Sequence, residues 1–236
     1  IDYGIGAHAS RASVLTGNAV NATALKVREK ALSVAADLLQ APADKLDIKN
    51  GVVTLSENPT GPSVTLGEVA EALSPESSSR GDRTPYLSAE EWFYTDHQTY
   101  SYGVQIAVVV VDRETGGIKF ERYLIAYDIG RAINPKMVEG QLIGGLAQGV
   151  GGTLLEEFVY DERGEPLSVT FVDYLLPTAR EVPVPELLLT EDAPSSRNPL
   201  GIKGAGECGI TGTAAAIAGA VDDAIGIPNA VKRLPI

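Results

Sequence analysis

The stretch Asn198-Pro199-Leu200-Gly201-Ile202-Lys203-Gly204-Ala205-Gly206-Glu207-Cys208-Gly209 decides between two fold classes. Its last six residues spell G-x-G-x-x-G ahead of an alanine-rich helical stretch, Thr211 to Ile225, which is the pattern of a dinucleotide-binding βαβ unit. Three physical points oppose that reading. Asn198-Pro199-Leu200-Gly201 makes a poor buried strand, and only 27 residues follow Gly209, too few for the rest of such a unit and its ribose-binding acid. Glu207 would also put a negative charge where a helix N-terminus should receive a pyrophosphate. A nicotinamide-dependent dehydrogenase built on this loop remains an alternative that fails if the residues before Gly204 are not a parallel strand. Elsewhere strands and helices mix without strict alternation, which predicts an α+β fold.

The same loop has other uses. A glutamate flanked by Gly206 and Gly209 is open to a bulky ligand, and its small apolar neighbours Ala205, Ile210 and Gly212 predict desolvation that raises the carboxylate pKa toward a general base's range. On residue pattern alone Glu207 reads more readily as an N-terminal cap on the Thr211 to Ile225 helix than as a base. Cys208 has no histidine nearby in sequence to activate it as a nucleophile. Near the other end, Gly6-Ala7-His8-Ala9-Ser10-Arg11 brings backbone N–H groups, a hydroxyl and a guanidinium to a helix start. That set suits a phosphate or anionic ring edge, or an ordinary loop and cap.

Working outward, Val20, Ala24, Val27, Ala31, Val34 and Leu38 recur at helical spacing and predict a helix from Asn18 to Gln40 lying on a core. Leu46 to Ile48 and Val52 to Leu55 flank Lys49-Asn50-Gly51, a tight-hairpin signal. Leu66 to Leu73 reads as a short helix and Ser74 to Thr84 as an exposed loop. Ser101 to Asp112 and Ile118 to Tyr127 form a second hairpin, and the unbroken Val108 to Val111 predicts a strand buried on both faces. Val138 to Glu157 is a glycine-rich buried helix rather than a membrane span, because Glu139, Gln141 and Gln148 interrupt it. Its glycines point to close approach of another backbone or a ligand. Further strands are expected at Leu167 to Tyr174 and Leu187 to Thr190.

Composition narrows the function. The 236 residues are 44% hydrophobic and 21% charged, within the range of globular proteins. Nineteen basic against 31 acidic residues give a net charge of -12, which argues against nucleic acid or an anionic membrane as unaided partners. One cysteine and two histidines, His8 and His97, leave no ligands for an iron–sulfur cluster or a multi-histidine metal site in this chain. The chain starts Ile1-Asp2-Tyr3-Gly4, without Met, which reads as part of something longer.

Five segments in order resemble the molybdenum-binding subunit of the xanthine dehydrogenase, aldehyde oxidase and carbon monoxide dehydrogenase family, the molybdenum hydroxylases. They are Gly6 to Val20; Tyr127-Asp128-Ile129-Gly130-Arg131-Ala132-Ile133-Asn134-Pro135; Val138-Glu139-Gly140-Gln141 with Gln148-Gly149-Val150-Gly151; Phe171-Val172-Asp173-Tyr174-Leu175-Leu176-Pro177; and Asn198 to Glu207. The resemblance implies the fold of the C-terminal part of the molybdopterin-binding domain across residues 1–236, with a sub-division into 1–95 and 96–236 left open.

It also implies chemistry. Glu207 ends the Lys-x-x-Gly-Glu motif whose glutamate is the family's general base, taking the proton of a molybdenum-bound hydroxyl. The redox work belongs to the cofactor. Ala9, Ser10, Arg11, Gln141 and Gly206 match cofactor-binding positions, and no protein side chain ligates the metal, which the pterin dithiolene holds. The cofactor implied is molybdenum–molybdopterin, with the Ala9-Ser10-Arg11 segment favouring the cytosine dinucleotide form. The implied enzyme is a cytoplasmic oxidoreductase that hydroxylates an aldehyde, N-heterocycle or similar small substrate with oxygen from water. Implied partners are the N-terminal half of the molybdenum subunit, a 2Fe–2S small subunit and an FAD subunit. The family's subunit is several times longer, so this chain is expected to be inactive alone. A non-catalytic cofactor-binding or assembly module is the alternative.

Overall fold

The computed structural model describes Gly4 and residues 6–236. The chain divides into two compact units, one covering Leu15–Tyr94 and the other the chain up to Val14 together with Thr95–Ile236.

The Leu15–Tyr94 unit holds most of α1 (Ala12–Leu39), an antiparallel sheet of β1 (Leu46–Lys49), β2 (Val52–Leu55) and β3 (Asn58–Thr65), and α2 (Leu66–Ala72). Asn50 and Gly51 both take positive φ, as the tight turn between β1 and β2 requires. α2 starts in a reciprocal capping box in which Thr65 and Glu68 satisfy each other's backbone N–H groups. The core packs Ala31, Leu32, Val34 and Ala35 of α1 against Leu46, Val53, Val64, Val69 and Leu73. The expected stripe is therefore buried only in part. Val20 is 60% exposed and Ala24 is exposed too, because this core draws on the Ala31 to Ala35 stretch of the helix, and Leu38 beyond it is also exposed. β3 was not expected from the sequence; Pro59, Gly61 and Pro62 disguise it as a loop.

In the other unit, β4 (Tyr102–Val111) pairs antiparallel with β5 (Ile118–Asp128), and β6 (Glu186–Thr190) lies parallel to β5 on its far side. α3 (Pro135–Leu154), α4 (Cys208–Thr211) and α5 (Thr213–Ile225) complete it, with Gly212 dividing the single helix expected there. Tyr123, Ile125, Tyr127, Leu142, Leu146, Val150, Ile217 and Val221 form the core.

Two expectations fail in this unit. β4 is not buried on both faces: Gln105, Ala107, Val109 and Val111 are half-buried, while Val104, Ile106, Val108 and Val110 point outward and are exposed. Its lack of sequence alternation reflects an edge strand with an apolar face on each side. Leu167 to Tyr174 is not a strand either. Its backbone is taken up by local turns, with Asp173 and Tyr174 N–H groups donating to the Thr170 carbonyl at 3.0 and 2.8 Å.

Gly145, Gly149 and Gly151 of α3 have the close neighbours the sequence demanded, whereas Gly140, Gly144 and Gly152 have nothing within 4 Å of an added Cβ. A Cβ on Gly145 would sit 2.7 Å from Gly209 Cα, and one on Gly209 would collide with the Leu142 carbonyl oxygen. α3 and α4 touch backbone to backbone, which fixes where the chain segment before α4 can lie.

Candidate functional site

The site is built from the end of β5. Asp128 is 4% exposed, and four groups meet its carboxylate. Oδ1 accepts from Lys203 Nζ at 2.9 Å and from the Gly130 N–H at 2.9 Å; Oδ2 accepts from the Ala193 N–H at 2.9 Å and from Thr190 Oγ1 at 3.3 Å. Burial pushes such a carboxyl's pKa up, but the Lys203 ammonium and the two backbone donors outweigh it and hold Asp128 at about 2. The Lys203 ammonium also lies 4.6 Å from the centre of the Tyr102 ring. Backbone bonds run alongside: Lys203 N–H donates to the Ile129 carbonyl at 2.9 Å, and Asn198 exchanges two hydrogen bonds with the Ile202 backbone.

Ile202 makes an isolated antiparallel bridge to Gly130. The residues directly before Gly204 are therefore not a parallel strand, so the nicotinamide reading loses the strand it needs.

Anchored at Lys203 and at Gly209, the loop between runs against the N-terminal segment. Ser10 Oγ donates to Glu207 Oε2 at 2.7 Å, and the Glu207 N–H donates to the same Ser10 Oγ at 3.0 Å. Gly204 makes this approach possible, since a Cβ there would lie 2.7 Å from the Ser10 carbonyl oxygen. Ser10 is held by a turn closed by the Arg11 N–H on the His8 carbonyl at 3.2 Å, with Ala9 and Ser10 both left-handed at φ of 51° and 53°. For non-glycine residues such angles cost about 1–2 kcal/mol each. From the other side, Gln105 Nε2 donates to the Cys208 and Gly209 carbonyls at 3.0 and 3.1 Å, while its Oε1 accepts from Tyr123 and Thr213 hydroxyls at 2.7 and 3.0 Å.

Ser10, Gln141, Gly206 and Glu207, drawn from three distant segments, thus meet. A Cβ on Gly206 would fall 3.4 Å from Ser10 Oγ and 3.6 Å from Gln141 Oε1. Ala9 lies beside them in the turn and is exposed. Arg11 is half-buried, and its Nε is buried with no hydrogen-bond partner.

Glu207 departs from expectation in two ways. It is exposed rather than enclosed by Ala205, Ile210 and Gly212, because the loop presents it outward. It also occupies the N-cap position of α4 without capping it, its carboxylate being turned to Ser10. Cys208 is buried, with its thiol 3.1 Å from Ser101 Oγ, and burial pushes its pKa up, the reverse of what a nucleophile needs. Among the described residues no three His, Cys, Asp or Glu side chains converge as a metal-ligand set, and no helix is long and apolar enough to cross a membrane.

Residues 1–183 match the family described as the molybdopterin cofactor-binding domain. The chain belongs to the molybdenum hydroxylases. This molybdenum hydroxylase chain is 40% identical over its whole length to the 6-hydroxypseudooxynicotine dehydrogenase complex subunit gamma of Paenarthrobacter nicotinovorans, of which it covers 30%. It is 32% identical, over 97% of its length, to the carbon monoxide dehydrogenase large chain of Afipia carboxidovorans, covering 28% of that protein. Among solved structures it is similar to quinoline 2-oxidoreductase from Pseudomonas putida 86, with a TM-score of 0.81, 34% identity and coverage of 95% of this chain and 28% of that one. The molybdenum hydroxylase chain therefore spans about 30% of the length of the relatives it matches, and its α+β architecture is theirs.

Two groups of this chain that its sequence did not single out are Asp128 and Gln105. Gln105 had a signal, being the lone amide in the apolar run of β4, and Asp128 had a weaker one, following the apolar Leu124-Ile125-Ala126 at the end of β5.

The residues present fit the cofactor on their own chemistry. The unsatisfied Arg11 Nε is a donor aimed at no protein acceptor, and the bare Gly206 backbone between Ser10 and Gln141 leaves room that a side chain would fill.

Proposed function

We propose that this chain is the base-bearing portion of the molybdopterin-binding subunit of a hydroxylase acting on an aldehyde, N-heterocycle or similar small substrate. The observation that carries the reading is the meeting of Ser10, Gln141, Gly206 and Glu207 at one point. The bound molybdenum–molybdopterin supplies the two-electron redox chemistry, with water as the oxygen source. Glu207 is the general base. Ser10 occupies Oε2 and keeps the carboxylate turned to one side, leaving Oε1 to accept a proton. Gln141 offers an amide and Gly206 an unobstructed backbone to the pterin. Arg11 offers its unpaired guanidinium N–H to an anionic group, and Ala9 holds the turn that presents Ser10 and Arg11.

The same segment favours the cytosine dinucleotide form, whose second phosphate would match Arg11. The 2Fe–2S cluster and FAD belong to partner chains. The exposed apolar face of β4 is the surface expected to meet the remainder of the subunit, without which the chain does not turn over.

The test uses the full-length subunit in its complex. Wild type and Glu207→Gln are compared for molybdenum content and for oxidation of aldehydes and N-heterocycles. Equal metal content with turnover lost supports the reading; turnover retained at equal metal content removes Glu207 as the base. A loss of metal in Arg11→Ala, read by metal analysis alone, tests the cofactor contact separately.

A further inference from the structure

We propose that Asp128 is a positioning residue for Glu207, acting through Lys203. The inference rests on the reading of Glu207 as the base and adds a residue to it. Glu207 itself is exposed, and a loop of glycines on either side of it has no stiffness of its own. Its position is set by what pins its ends. The downstream end is fixed by α4 against α3 and by Gln105. The upstream end depends on Lys203, whose side chain is buried at 8% exposure against Asp128, itself at 3%.

The pair is more than a spot of charge. Asp128 ties together the end of β5 with its Gly130 turn, the end of β6 with the segment after it through Thr190 and Ala193, and Lys203, so three stretches of chain share one carboxylate. From Lys203 the chain needs only four residues to reach Glu207, and Gly204 is already against Ser10. A shift of the Lys203 backbone passes straight to the Ser10 contact. Removing the charge at 128 leaves the ammonium buried without its partner, and the route to relief is for Lys203 to swing out and take the loop with it.

Displacement of a catalytic group by about 1 Å costs on the order of a hundredfold in rate. In the full-length holoenzyme, Asp128→Asn and the paired replacement Asp128→Leu with Lys203→Met are measured at matched molybdenum content. The paired replacement keeps the fold, since two apolar side chains can stand in for a buried ion pair, but loses the fixed reach of residue 203.

Both variants are expected to lower kcat about ten- to a hundredfold with little change in KM. Asp128→Glu, which keeps the charge, should recover part of the loss. Amide exchange at Glu207, whose N–H is bonded to Ser10 Oγ, should speed up at least about tenfold while the amides of α5 keep their protection, a readout that needs no turnover. Wild-type exchange at Glu207 together with wild-type kcat in the paired replacement overturns the proposal. If Glu207→Gln keeps turnover, the base reading fails, and the exchange measurement still decides whether Asp128 holds the loop.

Discussion

Ser10 Oγ donates to the Glu207 carboxylate at 2.7 Å and accepts from the Glu207 backbone N–H at 3.0 Å, so one hydroxyl holds both ends of one residue. The arrangement fixes the side-chain rotamer and the loop together. It also separates two roles of Ser10 that substitution can pull apart. Ser10→Gly accepts the left-handed φ without strain and loses the hydroxyl; Ser10→Ala loses the hydroxyl and keeps the strain. Both should lower kcat about ten- to a hundredfold, the worth of a hydrogen bond to a charged group. Only Ser10→Gly should retain or raise thermal stability, as a melting curve beside the kinetics would reveal.

The buried Asp128–Lys203 pair predicts a cost in stability. Asp128→Ala strands the Lys203 ammonium and should destabilise the protein by about 3–5 kcal/mol, measured by urea unfolding. Asp128→Leu with Lys203→Met should cost much less.

The same carboxylate predicts an acid limb. Its folded pKa of about 2 lies below the ordinary 3.8, so between those values the unfolded chain binds the extra proton and the folded chain does not. The stabilisation is fully present above about pH 4 and is lost as pH falls toward 2. Wild-type unfolding free energy should drop across that window. The drop should be shallower in Asp128→Asn, which has no carboxylate to protonate there.

Gln105 predicts an asymmetry between two near-isosteres. Its amide nitrogen serves the Cys208 and Gly209 carbonyls, and its oxygen serves two hydroxyls. Gln105→Glu sets a carboxylate oxygen against both carbonyl oxygens and should destabilise by about 3 kcal/mol, more than Gln105→Met, because like-charged acceptors repel where methionine only leaves them unpaired. Denaturant titration of the two variants decides it.

The glycines of α3 should divide by neighbour rather than by helix position. Gly145→Ala drives a methyl into Gly209 and should cost about 1–3 kcal/mol. Gly144 has nothing within 4 Å of an added Cβ, so Gly144→Ala should stabilise by about 0.5–1 kcal/mol. Paired melting curves test both.

Periodicity made α1, α3, both hairpins and β6 legible, because each carries its own apolar spacing or turn residues. It could not locate β3, where prolines and glycines mask an edge strand, nor tell that the apolar run at Leu167 would be used in turns. The exposed face of β4 was read as buried because a strand apolar on both sides looks the same whether or not anything covers it. Of the site, Ser10, Gln141, Gly206 and Glu207 were each named from sequence. Their hydrogen bonds to one another depend on tertiary closure and were not readable. Asp128 stood in a quoted motif without a role, since its partner Lys203 lies 75 positions away.

The distance between Ser10 and Glu207 has a meaning in time as well as in space. During synthesis at about 5–20 residues per second, the 197 positions between them take roughly 10–40 s to appear. For that interval the left-handed turn at Ala9 and Ser10 has none of its support from the Gly204 to Glu207 loop, while all of Leu15–Tyr94, inserted between the short first part and the long second part of the other unit, has its own core to fold on. The site thus cannot close until Glu207 has been made, and slow translation or a stall before it would leave a folded insert attached to an unfinished centre.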